Sequence, residues 1–566
     1  MHSSCVINLS EKRVSTGSTK SLDRKKAGSQ ETTQAQAETS LAELDAPEIS
    51  PLAWRIASLP ILAGAAFIRL YELGLVPMHH DEGVNGFFLT TLYRKGVYHY
   101  DPANYHGPTL YYFALAITKL NGFLFGEAAG LNTIAVRLVP VIFGVATVWL
   151  VLTLRRNIGT IGALAAAALI ALSPGHIYIS RYFIHEAHFV FFTLGIIVAA
   201  LRYYETADPV YLLLSSLSAA LLFATKETAI ISVGVLLLAL AVAQVYMRLT
   251  NGRASVTWEK KASKKKSKKR SMQKEEPLAR FGGLTNFLFW SSIALALFVF
   301  VNILFYSSFF TYWQGVGGAI ESLQVWAKTG TNEHAHPWNT YLKWLLQEEA
   351  PVLLLGAAGA VTALIRQRNR FTVFVGAWAF GILAAYSLIP YKTPWLMINF
   401  TVPLAIIGGY AINEIYNFDK SLKSHFVAIA IVAAALIISG TQSVILNFYN
   451  YDDDRYPYVY AHTQRRFLDM VQEIERLSGR AGTGTQTGIT ITSPDYWPLP
   501  WYLRNYERAG FFGHMTTTDE PLVLGSIEQI PELDSMLDGR YQLVDSYPLR
   551  PGVTLVLYAK KELVGQ

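Results

Sequence analysis

Cysteine is nearly absent, with Cys5 the only one in 566 residues. An intramolecular disulfide framework and a cysteine-rich zinc module are therefore excluded. Charge is also scarce: Asp, Glu, Lys and Arg make up 16% of the chain, against about 25% in an ordinary soluble protein. The start of the chain lacks the apolar core and small-residue cleavage site of a secretory leader, so the first long apolar stretch is expected to stay in the membrane. Apolar residues fill the space instead. They reach 52%, with 31 Tyr, 30 Phe and 12 Trp. This is the profile of an integral membrane protein with a polar remainder.

The net charge of +7 is unevenly placed, with much of it in "EKKASKKKSKKR" at 259–270. No aromatic or Arg pattern accompanies that tract, so nucleic-acid binding is not expected. Contact with anionic lipid from a cytoplasmic loop, 249–282, is the expected role. Residues 1–52 are rich in Ser, Thr, Ala, Gln and charge, which predicts a disordered cytoplasmic tail.

A helix needs about 20 apolar residues to cross the hydrocarbon core. Stretches near 54–74, 134–154, 159–179, 183–203, 209–225, 228–248, 284–308, 350–366, 371–389, 394–414 and 424–446 qualify. The segment 108–126 holds Lys119 and Asn121 and reads better as an interfacial helix. The fold class expected is an α-helical polytopic membrane protein of about eleven transmembrane helices, over 53–447. The basic segments Arg155–Arg156, 248–282, 366–370 and 419–425 fall on one side if the N-terminus is cytoplasmic. Residues 448–566 then lie outside the cell membrane. There "TQRRFLDMVQEIERLS" lines up Phe467, Met470, Val471, Ile474 and Leu477 on one helix face, and "GITITS", "YQLVDSYPLRPG" and "GVTLVLYAKK" read as strands. An external α/β domain follows. Its "SPDYWPLPWYLRNY" crowds Trp497, Trp501, Tyr502 and Tyr506 together, which suits anchoring at the membrane or pocket mouth and also suits sugar rings.

With that topology the outer face receives "HHDEGVNGFF" (79–88), "YDPANYHGP" (100–108), "SRYFIHEAHF" (180–189), "TKE" (225–227), "NEHAHPWN" (332–339) and "PYKTPW" (390–395). Ionisable groups at a membrane edge are costly and usually line a cavity or serve a reaction. The bland readings are solvated turns for Asp81 and Glu82, a self-capping helix start at 181–188, and a tight turn with an internal pair for Lys226 and Glu227. Arg181, His185 and His188 fall at i, i+4 and i+7, one stripe if the helix is regular there.

Taken in order, these segments resemble the motifs of the GT-C membrane glycosyltransferases, among them the dolichyl-phosphate-mannose protein mannosyltransferases and the lipid A aminoarabinose transferases. "HHDEGVNGFF" resembles their Asp-Glu motif, "SRYFIHEAHFVFF" their Ser-Arg-Tyr motif, and "LLFATKETAI" their small-polar-Lys junction. "YHGPTLYYF" is similar to their His-Pro-Pro segment, with Gly107 in place of the first proline, and "SLIPYKTPWLMINFTVPLAI" to a late span. "YAHTQRRFLDMVQEIE" and "YWPLPWYLRNY" resemble a prokaryotic branch associated with lipid-linked sugar flipping in archaeal N-glycosylation.

The resemblance implies transfer of a hexosyl or pentosyl group from a polyprenyl-phosphate donor to a hydroxyl of a glycan, lipid or protein, on the extracytoplasmic side of the plasma membrane. It implies Asp81 as the base and Glu82 as a catalytic or acceptor-positioning partner. Arg181, Lys226 and Lys392 are implied as cations for the donor phosphate, with His80, His106, His185, Glu186 and Tyr391 in support. The alternative is a non-catalytic component assisting lipid-linked sugar flipping. Imidazoles such as His79 and His80 suit a divalent metal chemically. No HExxH spacing occurs, so no cofactor is assigned.

Overall fold

The computed structural model describes residues 49–103, 106–259, 278–329, 335–367, 369–419 and 421–565. Residues 1–48 of the expected tail, the lysine tract at 260–270 and His334 lie outside them, while the last residues assigned to that tail, Pro51 and Leu52, already begin a helix. Among the described residues eight helices are long and apolar enough to cross a membrane: Pro51–Leu70, Thr133–Leu152, Glu186–Thr206, Ala229–Thr250, Gly283–Tyr306, Arg370–Leu388, Pro394–Tyr416 and Leu422–Tyr449. Two bent pairs bring the number to ten. Thr160–Leu172 turns by 59° into Pro174–Ser180, and Thr340–Glu348 turns by 112° into Ala350–Arg366. The remaining expected span is the shorter apolar helix Pro209–Phe223. The protein is a multi-pass membrane protein.

Both bends have a local cause. Pro174 and Pro351 stand in the first turn of the second helix of each pair, where a missing N–H costs nothing, and Ser173 before Pro174 is held extended. Ser173 then caps the new helix by accepting from His176 N. Pro394–Tyr416 forms the centre of the bundle, with 94% of its span buried.

Arg69 is wholly buried, and its guanidinium donates to the carbonyls of Ala65 and Ala171 at 3.1 Å and Ile170 at 3.2 Å. Arg181 does the same for Ile68 at 3.1 Å, Tyr71 at 2.5 Å and Glu72 at 2.8 Å. Apart from Ala65, which lies within its helix, these carbonyls stand at or just past helix C-termini, at the end where the dipole favours a cation.

Beyond residue 450 the chain builds a five-stranded sheet in the order β2-β1-β3-β5-β4. Its strands are β1 Ile489–Ile491, β2 Ala509–Phe511, β3 Leu522–Ser526, β4 Tyr541–Arg550 and β5 Val553–Lys560. β1 pairs in parallel with β2 and β3, while β5 runs antiparallel to β3 and β4. The helix Phe467–Arg480 buries Phe467, Met470, Val471, Ile474 and Leu477, the expected face. β2, β3 and the helix Ile530–Leu537 are additions to the sequence reading.

The aromatic loop at 497–506 attaches this sheet unit to the helix His80–Lys95. Trp501 is buried, and its indole N–H donates to Thr133 Oγ1 at 3.1 Å. Tyr502 accepts from Met78 N at 2.8 Å, and Arg94 donates to Arg504 O at 2.8 Å. Glycine makes the approach feasible. A Cβ on Gly83 would lie 2.5 Å from Pro498 Cβ, and one on Gly86 would penetrate the Trp501 ring.

Candidate active-site cavity

The helix His80–Lys95 opens with a reciprocal cap. His79 Nδ1 accepts from Asp81 N at 3.0 Å, and Glu82 Oε2 accepts from His79 N at 3.0 Å. His79 Nε2 lies 3.2 Å from Tyr460 O. A carbonyl only accepts, so the imidazole is neutral with its proton on Nε2. Burial holds its pKa down at about 4. Both ring nitrogens are committed, and among the described residues no three His, Cys, Asp or Glu side chains converge as metal ligands.

The two adjacent carboxylates part company. Glu82 is completely buried, and Arg137 meets it through Nε at 2.8 Å and Nη2 at 2.7 Å. Glu82 Oε1 also accepts from Phe183 N at 2.8 Å. Arg137 spends its remaining donors on the carbonyls of Leu73, Val76 and Pro77. The pair is two-pronged and fully satisfied, so it fixes the segment that enters the helix. Asp81, one residue earlier, faces the other way. Its side chain is 25% exposed and lines a cavity of about 550 Å³. Burial is the largest effect on its pKa and raises it.

The same cavity is lined by Lys226, whose Nζ lies 2.6 Å from Glu186 Oε1, with both side chains buried. Lys226 does not pair with its neighbour Glu227, which bonds His106 Nδ1 at 2.9 Å. Burial pushes the Glu227 carboxyl up, but its neighbours His106 and Lys226 and its backbone hydrogen bond together outweigh it and the pKa falls. Two loops carry these groups and are knitted backbone to backbone: Gly107 N donates to Thr225 O at 3.0 Å and Thr109 N to Ala224 O at 3.4 Å. A Cβ at 107 would collide with Ala224 O, so only glycine admits this approach. His185 Nε2 donates to Gly107 O at 3.0 Å, and burial lowers its pKa well below the usual histidine range.

The expected stripe of Arg181, His185 and His188 does not form, because the chain breaks at 181–185 and the helix resumes at Glu186. Arg181 is spent on helix-end carbonyls and does not line the cavity. Lys392 donates to Ile389 O at 2.5 Å and is likewise outside the lining. The structure therefore gathers Asp81, His79, His80, His106, His185, Glu186, Lys226 and Tyr391 around one space, and leaves Glu82, Arg181 and Lys392 behind its walls. Trp326, Trp395, Tyr460 and Arg550 also line it, unnamed as site residues by the sequence reading. Only a pairing of residues 460 and 550 with the first hundred residues could have pointed to them.

The fold has relatives of known structure. ArnT from Cupriavidus metallidurans, solved bound to undecaprenyl phosphate, superposes with a TM-score of 0.56 at 13% identity, over 90% of this chain and 98% of that one. Its apo form gives 0.50 at 14%, over 89% and 98%. The chain has the GT-C membrane glycosyltransferase fold. Within it, residues 105–257 match the family described as dolichyl-phosphate-mannose-protein mannosyltransferase. The matched stretch carries His106, His185, Glu186, Lys226 and Glu227, and stops short of the helix bearing Asp81. An oligosaccharyltransferase from Archaeoglobus fulgidus aligns more loosely, with a TM-score of 0.47 at 14% identity over 84% of this chain and 69% of that one. Comparison with curated proteins finds no match.

Proposed function

We propose that this GT-C chain transfers a sugar, hexosyl or pentosyl, from a polyprenyl-phosphate donor to an acceptor hydroxyl. One observation carries the reading: Asp81, a partly exposed carboxylate, shares the lining of a single cavity with the Lys226–Glu186 pair. The match at 105–257 and the fold shared with a protein solved on undecaprenyl phosphate support it.

In this reading Asp81 takes the proton of the acceptor hydroxyl as its oxygen bonds to the anomeric carbon. The bond from that carbon to the phosphate oxygen breaks, and its electron pair leaves with the polyprenyl phosphate. Lys226, oriented by Glu186, stabilises the charge that gathers on the departing oxygen. Glu82 acts through shape, holding Asp81 on the cavity side by way of Arg137. The cavity end of the bundle faces the extracytoplasmic side.

The test is purified protein in liposomes with polyprenyl-phosphate sugar labelled in the sugar. Label moving to an acceptor in the wild type but not in Asp81→Asn supports the reading. Label that crosses the bilayer yet stays on the lipid overturns it in favour of lipid movement without chemistry.

A further inference from the structure

We infer that Arg550 of the sheet unit is a second phosphate-binding cation of this cavity, and that its partner Asp495 holds it in reserve until donor lipid arrives. The inference rests on the transfer reading for the identity of the phosphate.

Among the described residues lining the cavity, the side chains with a permanent positive charge are Lys226 and Arg550. They differ in what holds them. Lys226 is pinned to Glu186 where both are buried, and a buried carboxylate cannot give up its only cation without a large penalty. Arg550 is paired with Asp495, whose side chain is 49% exposed. Water can take over that carboxylate at little cost, so Arg550 can exchange partners. A guanidinium also offers two parallel donors to a phosphate, which an ammonium does not.

The backbone sets Arg550 in place. It ends β4, pairs in register with Val553, and precedes a Pro551–Gly552 turn in which Gly552 takes φ +80°. Leu549 O accepts from Gln464 N at 2.9 Å, which ties the hairpin to the segment 460–464. Tyr460 and Ala461 of that segment line the same cavity, with Ala461 at φ +51°, a left-handed conformation that alanine adopts only under constraint. Burial above all, with a smaller contribution from the Arg550 charge, lowers the pKa of His79 and His80 beside Asp81. Neutral imidazoles leave the guanidinium free of a competing cation on that wall.

The experiment measures binding of undecaprenyl phosphate and of undecaprenol to the full-length protein and its variants. Arg550→Met is expected to weaken undecaprenyl phosphate about 10- to 100-fold, the range for a lost bond to a charged group, with undecaprenol unchanged. Arg550→Lys should fall between. Asp495→Asn should tighten the phosphate lipid several-fold, because the guanidinium is released. Unchanged phosphate affinity in Arg550→Met overturns the inference. So does an equal loss for both lipids, or a loss in Asp495→Asn that copies Arg550→Met, since either marks a merely structural pair. A raised acceptor KM with unchanged lipid-phosphate affinity places the contact on an acceptor phosphate and also overturns it. If the wild type binds phosphate lipid by way of Arg550 yet transfers no sugar, the transfer reading fails and this inference stands.

Discussion

Gly86 and Trp501 occupy one site between them: the indole ring fills the volume that a Cβ on residue 86 would take. The contact joins the helix that carries Asp81 to the sheet unit that carries Arg550. Gly86→Ala is expected to destabilise the protein by about 1–3 kcal/mol through overpacking, seen as a lower melting midpoint in detergent and faster proteolysis after residue 450. Gly64→Ala has nothing within 4 Å to strike and should be neutral or slightly stabilising. Equal behaviour of the two variants would remove this contact from the docking surface.

Asp81→Asn should lower transfer about 10²–10⁴-fold, the range for one lost general base. Stability should move the other way. The folded carboxyl has a raised pKa, so its stabilising contribution is complete below the unfolded carboxylate pKa and is lost as pH rises through the folded one. The ionised group is a net cost to the folded state, and Asn removes it. An inactive variant that melts at or above the wild-type temperature is the expected result; a large drop in melting temperature would make Asp81 structural.

The same shift sets the pH dependence. A base works when ionised, so kcat/KM should rise with pH through an apparent pKa above the ordinary carboxylate value. The limb should flatten in whatever residual activity Asp81→Asn retains. A wild-type rate that is flat from pH 4 to 7 would assign the base elsewhere.

Glu82→Gln leaves Arg137 buried without its counter-charge, and breaking such a pair costs about 3–5 kcal/mol. The expected outcome is poor folding or a steep loss of thermal stability, with activity per folded molecule reduced far less than in Asp81→Asn. A stable Glu82→Gln protein as inactive as Asp81→Asn would return Glu82 to the chemistry.

Lys226→Met and Glu186→Gln each break the buried pair, so each should impair transfer. The double variant should fall well short of the summed losses, with a coupling of about 0.5–3 kcal/mol. Additive losses would mean that the 2.6 Å contact does not operate as a unit.

The apolar runs made the membrane class and nearly every span legible, because a bilayer admits few alternatives. Asp81, Glu186 and Lys226 stood out because buried or edge-placed charges are rare in such a chain. The fate of Glu82, Arg181 and Lys392 was not legible. Each is a charge beside a motif, and only the fold shows whether a side chain turns to the cavity or to backbone carbonyls. The 181–185 break was hidden for a related reason: the i, i+4, i+7 spacing held in sequence, while the backbone there leaves the helix. Arg550 reads as an ordinary residue before a Pro-Gly turn, and its place in the cavity comes from β4 register and from a loop more than four hundred residues from Asp81.

The wall formed by Tyr460, Ala461 and Arg550 has a bearing on how the molecule is made. Asp81, Glu186 and Lys226 emerge from the ribosome early and enter the bilayer with the first helices, whereas the closing wall is synthesised much later. Until the aromatic loop 497–506 docks on Gly83 and Gly86 and brings the sheet unit with it, the carboxylate faces open water, with neither the second cation nor a shaped space for substrate. Order of synthesis thereby acts as a safety catch: a nascent or stalled chain already in the membrane holds the acid–base residues but remains chemically silent.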